Sequence, residues 1–581
     1  MLFYPSFIIF MAMKRVLAIL VAALLLLTGE LNAYAQIEHK ALIVPVKFND
    51  LQISASAETL DSLASELSKY YNAQFRDSIQ FVFDVSREVP VNGSYITFGT
   101  NQSFRRDALA HKMALTVYKA LYDQIDFSVY DNDKDGFVND IILLTPGIPE
   151  SAGGGENQFW PQYIELESKD IPYSLRIRPL GFAIAPEMNA AGETAGINIL
   201  AHEFGHILGL KDMYDTDDES SGGVCPGLGI TSLMDHGLDN DSGNTPPNLN
   251  AIEREILGAG RCEVLDAGGS YTLEPIHING HYMKLPTQEE NRYYLIENRL
   301  ADGNDAFIGG SGMLIYKIDK SESDAGYSSY YQRTLTALER WKRNQVNCNP
   351  DFPCAELIPA KLDTLDSSAA FWPKEGRTMF SPGKIALTNI QKEANGDISF
   401  RALEPVRILK KMVYQTSATL VWTVSDELGP VDSCKFEWNA LNSPASREDG
   451  ILSADGTYSF TIKDLVPRTI YFYKASVYYS DKSSYYSSGS FTTRIHRSDI
   501  FRFIYLGDAE RNRDGSFQAG SAIPLVVYNN IDEEVRWTFN GLYISPGPDG
   551  LWKIPGDGIL KAEISNNDGS KDVILKEIHV K

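Results

Sequence analysis

Cysteine is scarce in this chain of 581 residues, with only five in all. No two are spaced as CxxC, which excludes a zinc site built on paired thiolates. The odd count leaves at least one thiol without an intrachain partner. Cys348 and Cys354 bracket the turn-rich stretch NPDFP, and in an oxidising compartment a disulfide would close that loop. Cys225 with Cys262 has no support from spacing. Positive charge is also in deficit, since 53 Lys and Arg against 76 Asp and Glu leave a net charge of −23. Such a chain is repelled by a phosphate backbone or an anionic membrane, so nucleic acid is excluded as a partner. Other signatures are missing as well. No serine stands in a GxSxG elbow, and AGGGENQFW has neither the helix nor the lysine of a nucleotide loop.

Long apolar runs are missing too. The most pronounced, VLAILVAALLLL, has twelve residues and follows Met13, Lys14 and Arg15. It is short for a membrane span. With the basic residues before it and Ala33 and Ala35 flanking Tyr34 after it, the segment reads as a secretory signal over 1–35, cut before Gln36, with Met13 as a second start. No cysteine follows the run, so nothing points to a lipid anchor. The expected mature chain is exported and has no transmembrane segment. Secretion to the exterior is the first reading, with periplasmic or cell-surface retention left open.

What is present describes ordinary globular material, 43% hydrophobic and 22% charged, and too long for a single core. KALIVPVKF (40–48) and NDIILLTPG (139–147) read as buried strands. ETLDSLASELSKYY sets Leu60, Leu63, Leu67 and Tyr71 on one helical face, and a second helix sets Leu109, Met113, Val117 and Leu121 on another. The expected fold is therefore an α/β unit over 36–403. Past LEPVRILKK the texture changes to short alternating strands, as in SATLVWTV and IYFYKASVYYS, which suits antiparallel sandwiches. Trp422 and the run Leu465, Pro467, Thr469 and Tyr471 resemble a fibronectin type III module over 404–497, the latter at its tyrosine corner. The strands of 498–581 suggest an immunoglobulin-like sandwich.

The chemistry concentrates in NILAHEFGHILGLKDMYD (198–215). The chain has nine histidines, so two of them four apart around a glutamate are not expected from composition. In a helix that spacing stacks His202 and His206 on one face, where both can present a ring nitrogen to one cation. Glu203 stands beside them without ligating. Gly209 can take positive φ and end the helix. Asp212 can then swing back as a third ligand, with Asp215 competing for that place. Three protein ligands leave a fourth position for water, as catalytic zinc requires. Glu203 is placed to take the water's proton and return it to the departing amine.

HEFGHILGLKDMYD, with its HExxHxxGxxD pattern, resembles the zinc segment of the immune inhibitor A family of secreted metallopeptidases, a metzincin-like group. The likeness runs from about 38 to 403 and includes IDFSVYDNDKDGFVNDIILLTPG, GLGITSLMDHG, TPPNLNAIEREILG and YYLIENRLADGNDAFIGGSGMLIYKID. It implies His202, His206 and Asp212 as zinc ligands, Glu203 as the catalytic glutamate and Met234 as the methionine turn beneath the metal. Lys211 departs from the family's usual proline, and His236 from the small residue common after the turn. The function implied is a zinc-dependent endopeptidase acting on proteins or peptides. Its rival is a catalytically silent adhesion or carbohydrate-binding protein on the same scaffold, with surface or glycan contact through the sandwiches.

A second constellation lies in DNDKDGFVND, where Asp131, Asp133 and Asp135 alternate before Gly136, and Asn139 and Asp140 follow. Hard oxygen ligands at this spacing resemble a calcium loop, although the twelfth position is Ile142 rather than the glutamate of an EF-hand. A solvated acidic turn is the alternative. Calcium there would rigidify a loop and take no part in catalysis.

Overall fold

The computed structural model describes residues 37–581 apart from 77, 103–106, 288, 362–366, 495–501, 508, 510, 529, 531–533 and 566–570. The expected signal segment, 1–35, lies outside the described residues. The chain divides into two compact units, 1–405 and 406–581.

The first unit is built on a twisted sheet whose strands are β1 (Ile37–Lys47), β2 (Ile79–Val85), β3 (Ile141–Thr145), β4 (Gln162–Glu165) and β5 (Gly181–Pro186). The order is β2-β1-β3-β5-β4. The first four positions run parallel, and the edge strand β4 is antiparallel to β5. Both faces are covered, which is why the central strands read as near-continuous apolar runs and not as alternation. Ala41, Ile43, Phe81, Phe83, Ile142 and Leu144 face one core, where helix α1 (Ala57–Gln74) supplies Leu60, Leu67 and Tyr71. Leu42, Val44, Val46, Ile141 and Leu143 face the other, covered by Met113, Val117 and Leu121 of α2 (Ala110–Leu121). Leu63 is half-buried at the margin of its core, and Leu109 is the residue that precedes α2.

Helix α3 (Asn198–Leu208) lies on the α1 side. Its Phe204 is fully buried among Tyr71, Phe81 and Phe83, with ring centroids 4.7 to 6.0 Å apart. The Tyr71 hydroxyl donates to the Ala201 carbonyl at 2.6 Å. Removing such a buried ring costs roughly 3–5 kcal/mol, so α3 is fixed by packing on its apolar side while its histidines face away. Helix α4 (Ala251–Leu257) follows. A mostly antiparallel sheet then joins β6 (Arg261–Val264), β7 (His281–Pro286), β8 (Arg292–Arg299), β9 (Gly312–Asp319) and β10 (Ala355–Leu357) in the order β10-β9-β8-β7-β6. The short helix α5 (Ala337–Lys342) lies between β9 and β10.

The expected Cys348–Cys354 disulfide is not formed, and all five cysteines carry free thiols. Hydrogen bonds close the loop instead: Phe352 N donates to Asn349 O at 3.1 Å and Cys354 N to Val346 O at 3.3 Å. Cys348 Sγ sits 3.0 Å from Thr216 Oγ1. Burial pushes the Cys348 and Cys354 thiols up to about 11 and about 12, away from the reactive thiolate.

In the second unit, strands Val406–Val413, Ala418–Val424, Ile451–Leu452 and Tyr458–Ile462 form one antiparallel sheet. Strands Val431–Ala440, Ser446–Asp449, Ile470–Tyr479 and Ser484–Thr492 form another. Trp422 of the first, fully buried, stacks on Phe436 of the second at 5.5 Å. Val466 N donates to the Tyr471 hydroxyl at 3.0 Å, the bond of a tyrosine corner. Residues 502–581 add further antiparallel strands around Ile523, Trp537, Trp552 and Leu560.

Candidate metal centre

Helix α3 ends where its sequence allows. Gly209, at φ 108°, caps it in the left-handed region with its N–H on Gly205 O and His206 O. That reversal returns the chain so that Asp212 faces the two histidines. His202 Nε2 and His206 Nε2 each stand 3.2 Å from Asp212 Oδ1, and the imidazole rings lie nearly perpendicular with centroids 4.9 Å apart. His202 and Asp212 are buried, at 4% and 5% exposure.

The hydrogen bonds around the cluster decide what it presents. His202 Nδ1 is 2.9 Å from Leu233 O and His206 Nδ1 is 3.1 Å from Leu210 O. A carbonyl only accepts, so each Nδ1 carries a proton and, in the neutral ring that a cation requires, each Nε2 turns its lone pair toward Asp212. Asp212 Oδ1, despite its closeness to both rings, has no partner in hydrogen-bond geometry. Three lone-pair donors that converge without bonding one another fit a cation between them. Tetrahedral ligands about 2.0–2.1 Å from a common ion stand roughly 3.3 Å apart, against the 3.2 Å found. Burial opposes charge on both rings, but the Asp212 carboxylate outweighs it and raises both histidines above their ordinary value. Burial opposes charge on Asp212 as well, and the two histidines outweigh it, holding its carboxyl well below the usual range.

Glu203 occupies a different situation. It is buried, its Oε2 has no hydrogen-bond partner, and burial pushes its pKa up to about 8, with the His202 charge pulling the other way. A carboxyl poised near neutrality beside a cation site is suited to moving protons.

The residues beneath the cluster explain its shape. Met234 is fully buried under α3, and a Cβ on Gly205 would come within 2.9 Å of its Sδ. Met213 N donates to Met234 O at 2.8 Å, tying the segment after Asp212 to the same turn. Asn344 embraces Asp212: its Nδ2 donates to Asp212 Oδ2 at 2.6 Å and its Oδ1 accepts from Asp212 N at 2.8 Å. Sequence reading missed Gly205 and Asn344, and a lone asparagine 132 residues downstream carries no signal that could have found it. Asp215 is engaged elsewhere, accepting from Cys225 N at 2.9 Å and Asp217 N at 3.1 Å. His236 is exposed and pairs with Asp239 at 3.3 Å.

Asp131, Asp133 and Asp135 bring carboxylate oxygens within 4.8 Å of one another, the first buried and the others exposed. Asp131 already accepts from Asp135 N and Gly136 N, both at 3.0 Å. Asp140 turns away to His39 Nε2 at 2.8 Å and Asn132 Nδ2 at 3.0 Å. Asn139 is buried next to it and stands outside the group of three.

Residues 47–257 match the family model of the immune inhibitor A peptidase M6 catalytic domain. The resemblance read from the sequence holds. The peptidase M6 match runs from the last residue of β1 through α4 and so contains α3 and the turn at Met234. Immune inhibitor A of Bacillus thuringiensis subsp. alesti is 26% identical over 436 residues, covering 67% of this chain and 61% of that protein. The match thus spans about three-fifths of the relative's length. Among solved structures, the fibronectin(III)-like modules of Clostridium thermocellum CbhA align at 14% identity, covering 30% of this chain and 94% of theirs, with a TM-score of 0.19. A redesigned β-sandwich protein aligns at 19% identity over 16% of this chain and 86% of its own, with a TM-score of 0.13.

Proposed function

We propose that the protein is an exported zinc-dependent endopeptidase that hydrolyses peptide bonds of proteins. The observation that carries the reading is the convergence of His202 Nε2, His206 Nε2 and Asp212 Oδ1 with both Nδ1 atoms committed to carbonyls. His202, His206 and Asp212 hold the metal in this reading. Zinc bound there supplies Lewis acidity toward a water molecule and a substrate carbonyl. Glu203 accepts the proton of the attacking water on its carboxylate and passes it to the leaving amine nitrogen, so that the carboxylate is regenerated each turnover. Leu233 O and Leu210 O fix the histidine tautomers, Asn344 aims Asp212, and Met234 fills the space beneath Gly205. Burial of the cluster excludes bulk water, which strengthens each of these interactions.

In the same reading, 1–35 directs export, 36–403 is the peptidase, and 404–497 and 498–581 are fibronectin type III-like and immunoglobulin-like sandwiches that position it or contact its targets. Among the described residues no helix is long and apolar enough to cross a membrane. Calcium at Asp131, Asp133 and Asp135 stiffens the loop between α2 and β3, with Asp140 bracing it through His39.

The test is cleavage of an unfolded protein by purified residues 36–581, stripped with a chelator and reloaded with zinc. Cleavage that disappears on stripping and returns with zinc is the expected result. Folded protein that takes up no zinc, or cleavage indifferent to the chelator, would sink the reading.

A further inference from the structure

The start of α4 carries a capping box in which Glu253 is the reaching residue. Its Oε2 accepts from Asn250 N at 2.8 Å, while Asn250 Oδ1 accepts from Glu253 N and Ile252 N. A capping box needs only that one oxygen. The chain holds a second box at α5, where Glu339 performs the same task half-buried and spends its remaining contacts on the guanidinium of Arg333 at the surface. Glu253, by contrast, is fully buried. Burying a carboxylate is costly unless its oxygens are all engaged, so the second oxygen calls for an explanation.

That oxygen meets the methionine turn. Glu253 Oε1 accepts from Ser232 Oγ at 2.6 Å and from Met234 N at 3.2 Å. The two residues it grips surround Leu233, whose carbonyl takes the His202 Nδ1 proton, and the Met234 carbonyl takes Met213 N next to Asp212. One carboxylate therefore holds the turn from which both a ring and the returning chain hang. It is itself anchored: Ala251 N, at the head of α4, donates to Glu297 of β8, and Arg299 of β8 binds Glu297, Asp305 and the Thr231 carbonyl of the same turn. All of these side chains are fully buried.

We infer that Glu253 is a positioning residue of the metal centre, setting the orientation of His202 and the reach of Asp212 through the backbone of the methionine turn. The inference rests on the zinc reading above and deepens it. A backbone N–H, which can only donate, faces each carboxylate oxygen, Met234 N on Oε1 and Asn250 N on Oε2, so an amide in its place must set an N–H against another donor. Partners behind a metal ligand typically contribute about 10–100-fold to affinity.

The experiment compares full-length wild type, Glu253→Gln and Glu255→Gln for zinc affinity by chelator competition, alongside the visible spectrum of the cobalt-loaded protein. Glu255 lies on the same helix and pairs with Lys284, Lys320 and Tyr293, away from the turn. Glu253→Gln is expected to weaken zinc about 10-fold or more and to change the cobalt bands, whereas Glu255→Gln changes neither even if it melts earlier. A folded Glu253→Gln protein with wild-type zinc affinity and cobalt spectrum would overturn the inference. Should Glu253→Gln fail to fold, Ser232→Ala decides, since it removes the shorter of the two bonds that tie Glu253 to the turn and leaves the capping box intact. Several-fold weaker zinc supports the role, and unchanged affinity rejects it. A folded wild type that takes up neither ion removes the metal site itself, and the inference with it.

Discussion

Two groups of candidate metal ligands in the first unit, both signalled by the sequence, differ in how the fold surrounds them. In the His202, His206 and Asp212 group, the hydrogen bonds all lie behind the ligand atoms, on Leu233 O, Leu210 O and Asn344. In the Asp131, Asp133 and Asp135 group, the loop's own N–H groups occupy carboxylate oxygens, and two of the three side chains are exposed. The first arrangement leaves lone pairs with nothing but one another to face. The second satisfies a good part of its acceptors within the loop. What separates them is the direction in which neighbouring donors point, more than the number of acids.

The sharpest way to break the contrast is Glu203→Ala. The role proposed for Glu203 predicts a fall in kcat of about 10²–10⁴-fold with zinc stoichiometry unchanged, measured by peptide hydrolysis and metal analysis on one preparation. Retained turnover would mean that another group moves the proton. Next comes Asn344→Ala, which frees Asp212 to rotate and is expected to weaken zinc about 10–100-fold in a chelator titration. Equal affinity would show that the aspartate needs no support.

A smaller effect concerns Asp235, fully buried at the methionine turn, where burial pushes its carboxyl up to about 6 against the donors Leu228 N, His236 N and Gly229 N. Its folded pKa exceeds the unfolded one, so its share of stability is full below about pH 4 and is lost as pH rises through about 6. Relative to Asp235→Asn, the wild type should lose on the order of 1–3 kcal/mol across that window, read from denaturant unfolding at pH 4 and pH 7. A pH-independent difference would contradict the assignment. The smallest effect is expected at the acidic loop, where saturating calcium should raise the melting temperature of stripped protein by about 1–2 °C. An equal rise in Asp131→Asn would place the ion elsewhere.

The fold was legible where periodicity carries it. Leu60, Leu67 and Tyr71 announce α1, Met113, Val117 and Leu121 announce α2, and the unbroken apolar runs of β1 and β3 announce strands covered on both sides. The HExxH helix was legible for the same reason, since Leu200, Phe204 and Ile207 mark its packed face. A choice between Asp212 and Asp215 was not legible, because it depends on how the chain turns after Gly209, and that turn is set by Asn344 and Met234 from distant segments. The loop from Cys348 to Cys354 misled in the opposite direction. Its spacing suits a disulfide, but Asn347, Asn349 and backbone carbonyls hold it without one.

The family match ends at 257, yet Asp212 is aimed by Asn344, and α4 is moored by Glu297 and Arg299. A fragment trimmed to the matched borders would keep His202, His206 and Asp212 and surrender the scaffolding that aligns them. Boundaries drawn by likeness are thus narrower than boundaries drawn by mechanical dependence, and anyone excising this metal centre for use elsewhere must carry the sheet and the α5 region along with it.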